Sequence, residues 1–206
     1  MTNDRVRWGI LSTANIARGP SAVLAEWIAE EAIWPLPLST TTWAKHALLD
    51  WLGVAIGGSS EPLVEILVDD ALEETTQGQS RLLGRAERVT LAQAVLINGA
   101  ASHALDFDDL NKRVYGHPSV AVAPVVMALA ERHCSSGPQV IEAFVTGYEV
   151  ACQIGDMMGP SHDAKGWHAT ATLGVFGATA AAAKLLALDA EKTTMANPVN
   201  IQTITI

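Results

Sequence analysis

The sequence predicts an all-α domain of packed helical hairpins, and three observations carry that expectation. Apolar residues recur at the i, i+3, i+4 spacing of a helix face in one run after another. Proline and glycine fall mostly between those runs, at Pro35 and Pro37, Gly57-Gly58, Gly137-Pro138 and Gly159-Pro160. Apolar residues make up 49% of the 206, enough to fill a substantial core for one domain or one and a half.

Taken in order, residues 1–20 read as an atypical leader, 21–196 as the helical domain and 197–206 as an atypical tail. The leader contains VRWGILSTANIAR, a short apolar strand and a small-residue turn. Ser21 to Ile33 has helical spacing, and Pro35 and Pro37 stop it. Ser39 to Ile56 is amphipathic, with Trp43, Ala47, Leu48, Trp51, Leu52 and Ala55 on one stripe. Gly57-Gly58 ends it. Pro62 to Glu74 is a further helix, with proline early where its missing N–H costs nothing. Thr75 to Val89 reads as a loop with one short strand.

Thr90 and Gln93 form a capping box that opens a helix from Leu91 to about Leu105. Pro118 or Ser119 starts the next helix, which runs to His133 with Pro124 in its first turn or kinking it. Gln139 to Met158 places Ile141, Phe144, Val145, Tyr148 and Cys152 on one side. Residues 159–166 form a loop. His168 to Leu188 is a long alanine-rich helix, in which Gly174 and Gly177 imply close contact with a neighbouring helix. Its uncharged segment Ala169 to Ala183 is mostly Ala, Gly and Thr, which suits a buried helix better than a membrane span.

The net charge is −9, with no basic patch, which argues against a nucleic-acid partner. The two cysteines, Cys134 and Cys152, make no CxxC pair and no disulfide framework, as expected of a reduced, cytoplasmic protein. No apolar signal-peptide core follows Arg5 and Arg7.

One stretch stands apart. Ala101 to Pro124, ASHALDFDDLNKRVYGHPSVAVAP, sets three aspartates, two histidines and a Lys-Arg pair between core-forming segments. His103, Asp106 and Asp109 are spaced i, i+3, i+6 and share a face if the helix continues. Acids at a helix C-terminus oppose its dipole. A solvated helix end, a catalytic carboxylate and a Mg²⁺ site all fit this pattern. Gly116-His117-Pro118-Ser119 places a histidine just before a helix, whose N–H groups can receive a carboxylate. Gly166-Trp167-His168 repeats the arrangement, with His162 and Lys165 nearby. An exposed loop histidine is the plain alternative for each. No His/Cys pair has zinc spacing, and Ser119 lacks a nucleophile-elbow context.

HALDFDD, GHPSVAVAPVVMALAE and GWHATATLGVFGATAAAAKLL, with the earlier KHALLDWLGVAIGG, resemble the MmgE/PrpD family from about Ala25 to Lys192. That family includes 2-methylcitrate dehydratase and cis-aconitate decarboxylase. The resemblance implies a helical domain with a smaller α+β lid, a homodimer, small di- and tricarboxylate substrates, and no metal or organic cofactor. It implies catalytic roles for Asp106, His117 and His168. The neighbouring His103, Lys112, Arg113, Ser119 and Lys165 are then expected to bind substrate. Leu110 departs from the small polar residue usual after DFDD. The lysine-bearing segment and the later histidine and tyrosine of the family's second half have no counterpart here, so the chain reads as about half of a full member, truncated or fused.

The leading expectation is lyase chemistry by general acid/base catalysis, dehydration of 2-methylcitrate or a related hydroxy acid. His168 acts as base or acid, Asp106 orients or charges a histidine, and His117 with its helix N-terminus holds a carboxylate. Decarboxylation of cis-aconitate and isomerase or epimerase chemistry are alternatives. A catalytically incompetent accessory chain that only dimerises is another. The last is an NAD-linked oxidoreductase, because residues 5–18 resemble the first strand and turn of the Gfo/Idh/MocA family, without its GxGxxG.

Overall fold

The computed structural model describes residues 20–29, 35–74 and 78–196. The strand and turn expected over 5–18, the end of the first helical run and the tail 197–206 lie outside the described residues.

Helices start and stop where local chemistry requires. The first, α1 (Pro20–Ala29), precedes α2 (Leu38–Gly57), whose C-cap is Gly58. Pro62 opens α3 (Pro62–Glu74) as expected. Between Glu74 and Thr90 the described chain forms two short strands, not one. Strands β1 (Ser80–Arg81) and β2 (Arg88–Val89) pair antiparallel, with Ser80 opposite Val89. Asn98 holds this hairpin: it accepts from Leu83 N at 2.9 Å and donates to Arg81 O at 3.0 Å. Arg85 ties the hairpin's loop to α3 through Glu65, at 2.6 Å.

Helix α4 (Leu91–His103) opens on the Thr90/Gln93 capping box, with both reciprocal bonds made. It stops two residues short of the expected Leu105. Helix α5 (Pro118–His133) runs through Pro124. Ser136 and Gln139 form a second capping box at the start of α6 (Gly137–Met158), so the Ser-Gly-Pro break is itself a helix start. The expected 159–166 loop contains a single turn, α7 (Ser161–Ala164). Helix α8 (Ala169–Leu185) ends slightly earlier than expected, and α9 (Ala190–Ala196) was not anticipated.

The core is built on α5, α6 and α8, with α2 and α4 packed outside α5, α3 on α4, and α1 against α8 and α9. The glycines of α8 do what their cost implied. A Cβ on Gly177 would lie 2.7 Å from Gly147 O, and one on Gly147 would lie 2.5 Å from Gly177 O. The two helices therefore meet backbone to backbone. Phe144 and Cys152 of α6 are buried as expected.

The α2 stripe needs one correction. Trp51 and Ala55 are buried, but Trp43 is 72% exposed and Ala44 takes the inward position. Ala44, Leu48, Trp51 and Ala55 make the straighter stripe at 3.6 residues per turn, and Trp43 falls at its edge. Leu49 and Ile56 of α2 and Leu63 and Ile66 of α3 are also exposed. Among the described residues no single helix is long and apolar enough to cross a membrane.

Candidate active site

Helix α4 ends at His103, and the chain then turns instead of continuing. Asp106 adopts a left-handed backbone, φ 55°, with its N–H bonded to His103 O at 3.2 Å. A short polar side chain tolerates that conformation better than most. This turn overturns the expected common face of His103, Asp106 and Asp109. The i, i+3, i+6 argument needed a helix that has already stopped.

The turn delivers Asp108 instead. Its side chain is 1% exposed, and its Oδ2 lies 2.9 Å from His103 Nδ1 and 3.0 Å from His117 Nδ1. Asp106, by contrast, is 80% exposed, with Oδ1 at 3.6 Å from His117 Nε2. The His103 ring centroid lies 5.0 Å from that of His117 and 6.0 Å from that of His168. Three imidazoles from three parts of the chain therefore face one spot. His103 closes α4, His117 is the N-cap of α5, and His168 is the N-cap of α8.

Close backbone contact keeps them together. Residues 111–116 form a tight loop, closed by Asn111 N donating to Gly116 O at 3.0 Å. His117 N donates to Thr170 Oγ1 at 3.0 Å, in the first turn of α8. A Cβ on Gly116 would lie 2.7 Å from that oxygen and 2.9 Å from Thr170 N, so only glycine permits the approach.

The next carboxylate faces a different set of partners. Asp109 accepts from Ser119 N at 3.1 Å, Ser119 Oγ at 2.8 Å and Tyr148 OH at 3.1 Å. Burial pushes its carboxyl above the usual range, with the Ser119 hydrogen bonds pulling the other way. Tyr148 OH in turn accepts from Asn111 Nδ2 at 3.2 Å. Asp109 thus answers the N-terminus of α5, and that helix end is already occupied by a carboxylate. The start of α8 carries no side-chain cap.

The other expected binding residues are spread out. Arg113 turns to α6, with Nε at 2.8 Å from Asp156 and Nη1 at 3.1 Å from Glu149. Ser119 is 2% exposed, and its hydroxyl is committed to Asp109. Lys112 and Lys165 are exposed. His162 Nε2 lies 2.6 Å from Thr172 Oγ1, and its ring stacks on Trp167. Asp108 is the residue sequence reasoning passed over. Its signal was present only in the crowding of DFDD, because which of three acids turns inward depends on the backbone at Asp106.

Two other features bear on the chemistry. His103, Asp106, Asp108 and His117 offer ligand atoms within 4.8 Å of one another, so this group could hold a divalent cation although no pair has zinc spacing in sequence. A cavity of about 680 Å³ opens between α2 and α6 beside Asp109 and Tyr148. Its lining includes Asp50, Asp109 and Glu149 and no lysine or arginine, the wrong sign for a carboxylate substrate. The imidazole cluster is the better candidate site.

Comparison with known proteins shows the family of the chain. Residues 22–202 match the MmgE/PrpD N-terminal domain. The cis-aconitate decarboxylase-like protein oryM of Aspergillus oryzae is 28% identical over 181 residues, covering 84% of this chain and 38% of that protein. The cis-aconitate decarboxylase of Aspergillus terreus is 29% identical, covering 85% of this chain and 37% of its own length. That of Mus musculus is 33% identical over 158 residues, 72% of this chain and 32% of the enzyme. The chain thus spans about a third of these relatives' length, less than the half expected from the sequence. With the match running through the helices that carry all three clustered histidines, the chain belongs to the MmgE/PrpD family, lyases of the dehydratase and decarboxylase type, and carries that family's N-terminal domain.

Proposed function

We propose that this domain supplies the acid/base side of a lyase site for a small di- or tricarboxylate. The observation that carries the reading is the convergence of His103, His117 and His168 at the uncapped start of α8. A helix start without a side-chain cap offers its positive dipole end to one substrate carboxylate. The imidazoles beside it can accept and return a proton.

In a dehydration, His168 takes the proton from the carbon next to a carboxylate. The electron pair left behind forms the double bond as the hydroxyl leaves. A second imidazole gives that hydroxyl its proton, so that water departs. His117 orients the substrate, with the exposed Asp106 carboxylate 3.6 Å from its Nε2. A hydroxy tricarboxylate such as 2-methylcitrate fits this chemistry. The relatives' names favour a second reading, decarboxylation of cis-aconitate, in which loss of CO₂ supplies the electron pair and an imidazole returns a proton to carbon. The homodimer belongs to the same proposal, with the exposed apolar side chains of α2 and α3 as surface for it, and sedimentation equilibrium tests it.

The test is thermal unfolding of the purified chain with millimolar 2-methylcitrate, citrate and cis-aconitate. Turnover is followed by the new double bond or by released CO₂. A ligand at a hundredfold excess over Kd stabilises by about 2.7 kcal/mol, well within reach of such a scan. A raised midpoint that is lost in His168→Ala supports the reading. A cooperative transition that no carboxylate moves sinks it for this chain.

A further inference from the structure

The lyase reading leaves Asp108 without a role, and its surroundings give it one. A carboxylate buried this deeply is costly unless donors meet it. Oδ2 is met by two imidazole Nδ1 atoms, while Oδ1 meets no hydrogen-bond partner. Among the described residues no helix cap or backbone N–H depends on this side chain, unlike that of Asp109. What it holds is a pair of rings.

The neighbours also settle which nitrogen carries the hydrogen. His117 Nδ1 lies 3.3 Å from the Asp108 backbone carbonyl as well as 3.0 Å from its carboxylate. A carbonyl has no hydrogen to give, nor has an ionised carboxylate. Nδ1 of His117 is therefore the donor. His103 Nδ1 lies 2.9 Å from the same carboxylate oxygen, and the proposal gives it the same donor role.

We propose that Asp108 is the positioning residue of this site: it holds His103 and His117 together in the Nδ1–H form, so that both Nε2 lone pairs, on the far edge of each ring, are presented to substrate. Exposure rises in the order this requires, from 1% for Asp108 to 18% for His117 and 33% for His103. Second-partner control of an imidazole tautomer is a general device of acid/base sites. Here one residue controls two, His103 through its carboxylate and His117 through its backbone carbonyl as well. His103 then becomes an acid/base group beside His168, not only a contact for substrate. Its catalytic meaning rests on the lyase reading above, whereas the tautomers do not.

Long-range ¹H–¹⁵N NMR of the histidine-labelled chain, in alkaline buffer without substrate, tests the proposal. His103→Gln and His117→Gln assign the signals. Both histidines should show a pyrrole-type Nδ1 and a pyridine-type Nε2. In Asp108→Ala, His103 should lose that form, because the carboxylate is its partner. His117 should keep it, because the backbone carbonyl remains. Asp108→Asn, with one amide oxygen to offer, should restore the form at His103. Hydrogen on Nε2 of either ring in the wild type would overturn the proposal, with no variant needed. So would a His103 tautomer indifferent to Asp108→Ala in a folded chain, or stoichiometric Zn²⁺ binding that perturbs both Nδ1 atoms and is lost in Asp108→Ala. If the tautomers stand but no carboxylate shifts unfolding, the lyase reading fails and the positioning role of Asp108 survives.

Discussion

Asp108 and Asp109 are neighbours in the chain and opposites in the fold. Both are largely removed from water, yet one is answered by two imidazoles and the other by a hydroxyl, a backbone N–H and a phenol. The Asp109 partners belong to α5 and α6, so that carboxylate joins two core helices. The Asp108 partners are rings with one edge toward solvent, so that carboxylate arranges chemistry. Two adjacent residues of one type can thus separate stability from function, because a turn of backbone sends successive side chains to different surroundings. The difference is measurable, since the Asp109 side should dominate unfolding and the Asp108 side should dominate the behaviour of the imidazoles.

The largest expected effect lies where the loop between these residues and α5 sits on α6. A Cβ on Gly155 would fall 2.2 Å from Arg113 O and 2.9 Å from Val114 Cα. Backbone cannot yield as a flexible side chain does, so Gly155→Ala should cost about 3 kcal/mol by urea unfolding, near the upper end for overpacking. Next comes Asp109→Ala, which strands the Ser119 and Tyr148 donors and should cost about 2 kcal/mol. The same substitution one residue earlier makes the contrast sharp. Asp108→Ala should leave stability within about 1 kcal/mol of wild type, because its partners are half-open rings that can turn to water. If Asp108→Ala proves as damaging as Asp109→Ala, the division between the two carboxylates is wrong. Tyr148→Phe isolates one donor of the Asp109 set and should cost about 1 kcal/mol.

Much of the fold was legible because helix ends are chemically marked. Thr90 with Gln93, Pro62 at the start of α3 and Gly57-Gly58 after α2 act through backbone groups a few residues away, so local sequence reports them. The paired glycines were legible too, because glycine inside a helix is costly without a close neighbour. Trp43 was misplaced because two overlapping stripes differ by one position, and only packing against α5 and α6 chooses between them. The site was legible as a neighbourhood and not as a geometry. The polar stretch and both glycine–histidine turns pointed to it, but the choice of Asp108 depends on a left-handed residue two positions before it. Ser119 and Arg113 turn away from the imidazoles for a related reason. Their charges and donors suit a carboxylate substrate, but protein carboxylates on the same loop and on α6 reached them first.

The smallest expected effect is also the one that reads Asp109 most directly. Burial raises its carboxyl above the ordinary value, so the folded chain binds this proton more tightly than the unfolded chain does. Stability from this group is then fully present below the unfolded value of about 3.9, and it is lost as pH rises through the folded value. Other titrating groups obscure this in the wild type alone, so the quantity to measure is the difference in unfolding free energy between wild type and Asp109→Asn as a function of pH. Asparagine keeps the size and an acceptor but cannot charge. The wild type should lose ground to the variant as pH rises from about 3.9. A difference that moves the other way would mean that the hydrogen bonds from Ser119 and Tyr148 outweigh burial and that Asp109 is held charged. Asp109 would then stabilise the start of α5 as an anion, and the contrast with Asp108 would be one of partners alone.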